Sequence, residues 1–244
     1  MIRASPVLLC VLLLIPGILA ETGSERYASG DYAGAVTAFE QDLAGISGTG
    51  QAPVLNNIGT CYVALGEPEK ALSYYSRAVE ANASYGRGWI NLGVVQERLG
   101  KRDDALASYD RVGIADQSLY AEAMVKKGSL LAGEGDLDQA LQAFRLAGSG
   151  ATGQVYVDLY TGIGAVEFLQ KNTDAAEEAF LKATKADPDG AALAYTNLGV
   201  LRISQGRYKE AKRLLETAAR NDKTGQTNAV SYLKKLDRMG GEGS

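Results

Sequence analysis

The stretch GRGWINLGVVQERLGKRDDALASY, residues 86–109, carries the pattern that decides the fold. Its landmarks are Trp89, Leu92, Gly93, Gly100, Ala105 and Tyr109, and equivalents of each return every 34 to 36 residues. Gly93 has counterparts at Gly59, Gly128, Gly164 and Gly199, and Ala105 at Ala35, Ala71, Ala140, Ala176 and Ala211. Tyr109 is matched by Phe39, Tyr75, Phe144, Phe180 and Leu215, always four places after the alanine. Trp89 and Leu92, like Leu55 and Ile58 or Tyr195 and Leu198, sit three apart and form one apolar stripe on a helix. The glycine that follows must be small because a second helix crosses the first at that point. Gly30, Gly66, Gly100, Gly135 and Gly206 then stand where the first helix ends in a tight, left-handed turn. The fifth unit has Lys171 instead, and the neighbouring Asn172 is expected to supply the left-handed residue. The stretch after each turn keeps apolar spacings of three and four, as Ala71, Leu72, Tyr75, Ala78 and Val79 do, which is helical and not the alternation of a strand.

Two helices per period of about 34 residues cannot bury their apolar faces alone, so the units must stack on one another as a solenoid. With the recurring glycine as position eight, units fall near 52–85, 86–120, 121–156, 157–191 and 192–225. A half unit near 22–48 precedes them, and Ala229, Tyr232, Leu233 and Leu236 mark a capping helix over 226–239. Residues 240–244 read as a disordered tail. The Gly-, Ser- and Thr-rich connections 45–51 and 148–154 read as longer loops. The second spells a dinucleotide-binding fingerprint at Gly148, Gly150 and Gly153, but no strand precedes it, and it reads as a flexible connection.

These residues resemble the tetratricopeptide repeat. Trp89 with Leu92 and Gly93, and Tyr195 with Leu198 and Gly199, match its first-helix motif; Ala105 with Tyr109, and Ala176 with Phe180 and Pro188, match its second. The resemblance covers roughly residues 24–224 and implies an all-α, right-handed superhelical solenoid of about five and a half repeats plus the capping helix. The chain departs from the family pattern at position eleven, usually aromatic, with Gln96, Glu167 and Arg202, and at position seven, where Lys127 replaces an apolar residue.

Composition narrows the function. There is no histidine, which removes the commonest general base and the usual metal ligand and argues against an enzyme. No cofactor or metal site is expected. The formal charge of −4 offers no bulk attraction to nucleic acid. That charge is uneven: residues 202–239 hold ten Lys or Arg against four Asp or Glu, +6, so the rest carries −10. A solvated terminal cap accounts for this excess most simply; an acidic partner or an anionic membrane is the functional alternative.

At the N-terminus, Arg3 precedes an apolar run from Val7 to Ile15, then Pro16-Gly17 and Ala20. Residues 1–20 read as a secretory signal peptide with cleavage after Ala20, or as an uncleaved membrane anchor. Either places the bulk of the chain outside the cytoplasm, secreted or in the cell envelope. With the leader removed Cys61 is the sole thiol, and its place in the repeat is that of a buried small residue.

In tetratricopeptide arrays the first helices line a concave face, and the family geometry selects positions two, five, nine, twelve and thirteen as partner-facing. Carried over, position five gives Asn56, Ile90, Val125, Thr161 and Thr196, and position nine gives Thr60, Val94, Ser129, Ala165 and Val200. Positions twelve and thirteen give Glu97, Phe168, Leu169 and Ile203, with Phe168 and Leu169 the preferred contacts. The set is mostly neutral and partly apolar, which suits an extended or helical peptide. Asn82-Ala83-Ser84 fits the acceptor pattern for an N-linked glycan. The expectation is an exported, non-catalytic scaffold that binds a peptide or protein on its concave face. The alternative is a structural protein that self-assembles through its repeat ends.

Overall fold

The computed structural model describes residues 21–241, with nothing but helices, turns and loops among them. The leader over 1–20 lies outside the described residues. The helices come in antiparallel pairs, one pair per unit. The half unit is α1 (Gly23–Ala28) with α2 (Tyr32–Ala44), and a 3₁₀ turn (Gly48–Gly50) leads into α3 (Gln51–Ala64) and α4 (Pro68–Ala81). Then follow α5 (Gly86–Arg98) with α6 (Arg102–Asp110), and α7 (Gln117–Gly133) with α8 (Leu137–Ala147). The last pairs are α9 (Gly153–Leu169) with α10 (Thr173–Ala186) and α11 (Ala192–Ser204) with α12 (Tyr208–Asn221), closed by α13 (Ala229–Gly241). The closing helix thus starts three residues later and runs two residues further than the sequence pattern predicts.

Each pair is locked where glycine meets the bulky residue sixteen places on. A Cβ on Gly59 would lie 2.7 Å from the Tyr75 ring, one on Gly93 2.5 Å from Tyr109, and one on Gly164 2.5 Å from Phe180. Real Cβ atoms do not approach that closely, so the hydrogen is required. Phe144, Phe180 and Tyr109 are among the most completely buried side chains, and burying each contributes roughly 1.5–3 kcal/mol. The half unit obeys the same rule: Gly23 packs on Phe39, its absent Cβ 2.6 Å from the ring. That glycine stands 36 residues before Gly59 and extends the series by one unit toward the N-terminus.

Stacking adds a second axis of contact. Each second helix packs on the first helix of the next unit, and first helices touch one another along an inner row, α3 to α5 to α7 to α9 to α11. Polar bonds step by one unit as well. Asn91 Nδ2 donates to Asn56 Oδ1 at 2.8 Å, Arg87 Nη1 to both Glu122 carboxylate oxygens at 2.8 Å, and Tyr74 to Glu40 at 2.9 Å.

The first-helix turns follow expectation in five units, with φ between +71° and +88° at Gly30, Gly66, Gly100, Gly135 and Gly206. The fifth unit corrects the sequence reading. Lys171 itself takes φ +66°, and Asn172 is the N-cap of α10, its amide donating to Glu167 Oε2 at 2.8 Å. Continuing the turn set by its neighbours outweighs the strain of one side chain in the left-handed region. The connection 148–152 is also less free than its composition implies. Gly150 lies against the backbone of Gln117, where a Cβ would come 2.1 Å from the carbonyl oxygen, so glycine there serves close packing.

The departures from the family pattern are all compensated. Gln96 accepts from Ser108 Oγ at 2.6 Å, Glu167 accepts from Asn172, and Lys127 reaches both oxygens of Asp110 at 2.6 and 2.8 Å. Arg202, only 6% exposed, holds Glu177 of the preceding unit through two bonds of 2.5 and 2.6 Å.

Candidate interaction groove

The inner row of first helices leaves a trough of about 450 Å³ between α5, α7, α9 and α11. Its depth comes from what α9 omits. Gly162 has no room for a side chain, since a Cβ would meet the Phe144 ring at 2.5 Å, and Ala165 one turn later is nearly as small. Phe144 therefore forms part of the floor, with Tyr109 beside it. Val94, Ser129 and Ala165, all at position nine, line the trough, and Leu193 stands at its far side, 53% exposed.

Charges are few. Glu97 accepts the Tyr109 hydroxyl, and burial followed by that bond holds the phenol above its ordinary range, so it stays a neutral donor. Asp158 accepts from Gln154 Nε2 at 2.8 Å. Lys126 borders the trough with no ion-pair partner among the described residues. An apolar channel with scattered polar groups fits a peptide held by side-chain pockets, with its backbone and occasional charges satisfied at the rim.

The sequence-selected residues divide by position. All five at position five are buried: Asn56, Ile90, Val125, Thr161 and Thr196. Ile90 and Val125 belong to the central core. Thr161 and Thr196 spend their hydroxyls on the carbonyls of Val157 and Ala192, at 2.7 and 2.9 Å, and Asn56 is held by Asn91. Their burial leaves them little surface to offer an occupant, although Val125 and Thr161 line the trough. At position nine, Val94, Ser129 and Ala165 do face the trough, while Val200 is half-buried. Thr60 bonds the Asn56 carbonyl at 3.0 Å and the Tyr75 hydroxyl at 3.1 Å.

The preferred pair separates. Phe168 packs against the core of Ala176, Phe180, Leu198 and Leu201, whereas Leu169 is 59% exposed. Ile203 packs against the core of the last unit, and Glu97 lines the trough. Asp158 and Leu193, at the partner-facing position two but not named among its residues, line the channel, as do Lys126, Gly162 and Asn197 at position six, which the family geometry leaves out. Reading position six down the repeats, as 126, 162 and 197, would have found the row.

Asn82 lies just beyond α4, where its Oδ1 accepts from the Ser84 amide at 3.0 Å; Ala83 and Ser84 are exposed. No helix among the described residues is long and apolar enough to cross a membrane.

Comparison with known proteins follows the same lines. Family models described as tetratricopeptide repeat match residues 52–85, 97–153 and 150–224. A solved chain of the APC/C hetero-tetramer Cut9-Hcn1 is similar at 16% identity and a TM-score of 0.69, covering 90% of this chain and 42% of that one. Yeast Tom70 is similar at 19% identity and a TM-score of 0.66, covering 84% and 43%. The pilF protein of Pseudomonas aeruginosa is similar at 18% identity and a TM-score of 0.64, covering 77% and 87%. The chain thus spans less than half the length of the first two. At these identities the likeness is one of fold.

Proposed function

We propose that this chain, a tetratricopeptide-repeat protein, is an exported, non-catalytic scaffold that holds a peptide segment of a protein partner in the channel between α5 and α11. The observation that carries this reading is the trough floored by Phe144, which exists because Gly162 and Ala165 withhold side chains where the inner row could have been filled. Leu193 and Val94, exposed on opposite sides of it, would be covered by an occupant.

Export rests on the leader. The first helix is capped by Thr22, whose Oγ1 accepts from Glu25 N at 3.2 Å while its own N–H donates to Glu25 Oε2 at 2.8 Å. The cap of that helix is therefore made wholly within residues 22–25, downstream of the leader. In a host that glycosylates exported proteins, the half-buried Asn82, followed by exposed Ala83 and Ser84, would carry a glycan. Self-assembly through the repeat ends fits less well, because α13 lays Ala229 and Leu236 over Ala211, Leu215 and Ala218 and covers the last unit.

The test compares the native chain with Ser129→Trp, which fills the channel from an exposed position. Affinity capture from the cell envelope should return one partner with the native protein and lose it with the variant. Equal capture by both would remove the channel from the account, and capture only from the cytosolic fraction would remove export.

A further inference from the structure

We infer that the C-terminal end of the solenoid, α12 with α13, docks on an anionic lipid surface. Charge is the first observation. Of the four acidic residues in 202–239, three are already engaged. Glu210 binds Arg207 at 2.6 Å, Asp237 binds Lys212 at 2.7 Å, and Asp222 accepts from the amides of Gln226 and Thr227 at 3.0 and 2.7 Å. Lys209, Arg213, Lys223, Lys234, Lys235 and Arg238 are exposed and have no anionic partner among the described residues. The excess is thus presented to solvent and not consumed within the fold.

Arrangement is the second. On α13, Ala229 and Leu236 are buried while Val230, Ser231, Lys234, Lys235 and Arg238 are exposed at spacings of three and four, so they share the outward face. Val230 is 54% exposed at the head of this cationic stripe, and Tyr208 on α12 is 49% exposed beside Lys209. Apolar and aromatic side chains among lysines on an exposed helical face are what an interfacial helix offers to headgroups. An acidic polypeptide would need only the charges.

Polarity along the array is the third. With +6 on 202–239 and −10 elsewhere, an anionic plane attracts this end and repels the remainder. Docked this way the chain stands end-on, with the inner row of helices clear of the surface.

Flotation of the full-length chain with phosphatidylcholine vesicles, with and without phosphatidylglycerol, tests this. Binding should require phosphatidylglycerol and weaken as salt shortens the screening length from about 10 Å to about 3 Å. Each cation near such a surface contributes roughly fivefold in affinity, so Lys234→Gln with Lys235→Gln should weaken binding about 25-fold. Arg145→Gln with Lys185→Gln, exposed cations elsewhere, should leave it unchanged. Circular dichroism checks that both pairs fold. Val230→Ser, which keeps every charge, should also weaken binding and serves if the lysine variant fails to fold. Equal binding to neutral vesicles would assign attachment to the leader and overturn the inference, as would no binding to either. Undiminished binding by the lysine variant or by Val230→Ser, or capture of polyglutamate as tight as that of vesicles, would overturn it too.

Discussion

Removing Glu177 should cost more than removing the arginine it serves. Arg202 reaches the Glu177 carboxylate through two bonds of 2.5 and 2.6 Å from a side chain only 7% exposed, and its Nε has no good partner, Glu210 standing 3.5 Å away. Losing one member of a fully buried ion pair costs about 3–5 kcal/mol, because the other charge is left in a poor solvent. Glu177 is 29% exposed and Glu210 gives partial compensation, so Glu177→Ala should cost about 2–3 kcal/mol. Arg202→Met, which exchanges the buried charge for an apolar chain of similar length, should cost under about 1 kcal/mol, and the double variant should match it. The hydrogen bonds from Arg202 hold the Glu177 carboxyl below its ordinary value of 4.5. A depressed value means the pair contributes fully above pH 4.5 and is lost as pH falls through the folded-state value, so the native protein should lose its margin over Arg202→Met in acid. Urea unfolding followed by far-ultraviolet circular dichroism measures the differences, and hydrogen exchange should place the loss in α10 to α13. Equal costs for Glu177→Ala and Arg202→Met would refute the reasoning.

Other consequences follow from the packing. Gly164→Ala should destabilise by about 1–2 kcal/mol despite alanine's better helix propensity, since its Cβ would meet Phe180 at 2.5 Å; Gly164→Ala with Phe180→Leu should recover part of the loss in the same urea assay. Burial pushes the Cys61 thiol up to about 11, so in a Cys10→Ser chain it should resist thiol reagents at neutral pH until urea opens the array. Asp222→Ala, which removes the acceptor for the amides of Gln226 and Thr227, should speed hydrogen exchange in α13 while leaving α9 unchanged.

The fold could be read in advance because its interface is written as a pairwise code at constant spacing. A glycine, and sixteen places on a ring or leucine, specify one helix crossing per unit, and the same pair recurs whatever the rest of the unit contains. Gly23 is not legible as the partner of Phe39 because its helix has only six residues, too few to show a stripe. The polar departures were legible as departures and not as solutions, since the partners of Arg202 and Lys127 lie 25 and 17 residues away in the chain. The groove was legible only in part. Family geometry indicates a face, but whether position five points into the channel or into the next unit depends on the angle between successive pairs, and that angle has no signature in one sequence. Gly162 is the sharpest case: within a helix it reads as a weakness, and only its contact with Phe144 reveals a cavity.

The most direct trial of the central claim places a photo-activated cross-linking residue at Ser129 or Leu193 in the channel, and at Leu146 or Leu181 among the exposed residues of the second helices. Irradiated in the native envelope, the channel positions should join one and the same partner peptide, with the Leu146 and Leu181 positions silent. Cross-links confined to the Leu146 and Leu181 positions would contradict the claim.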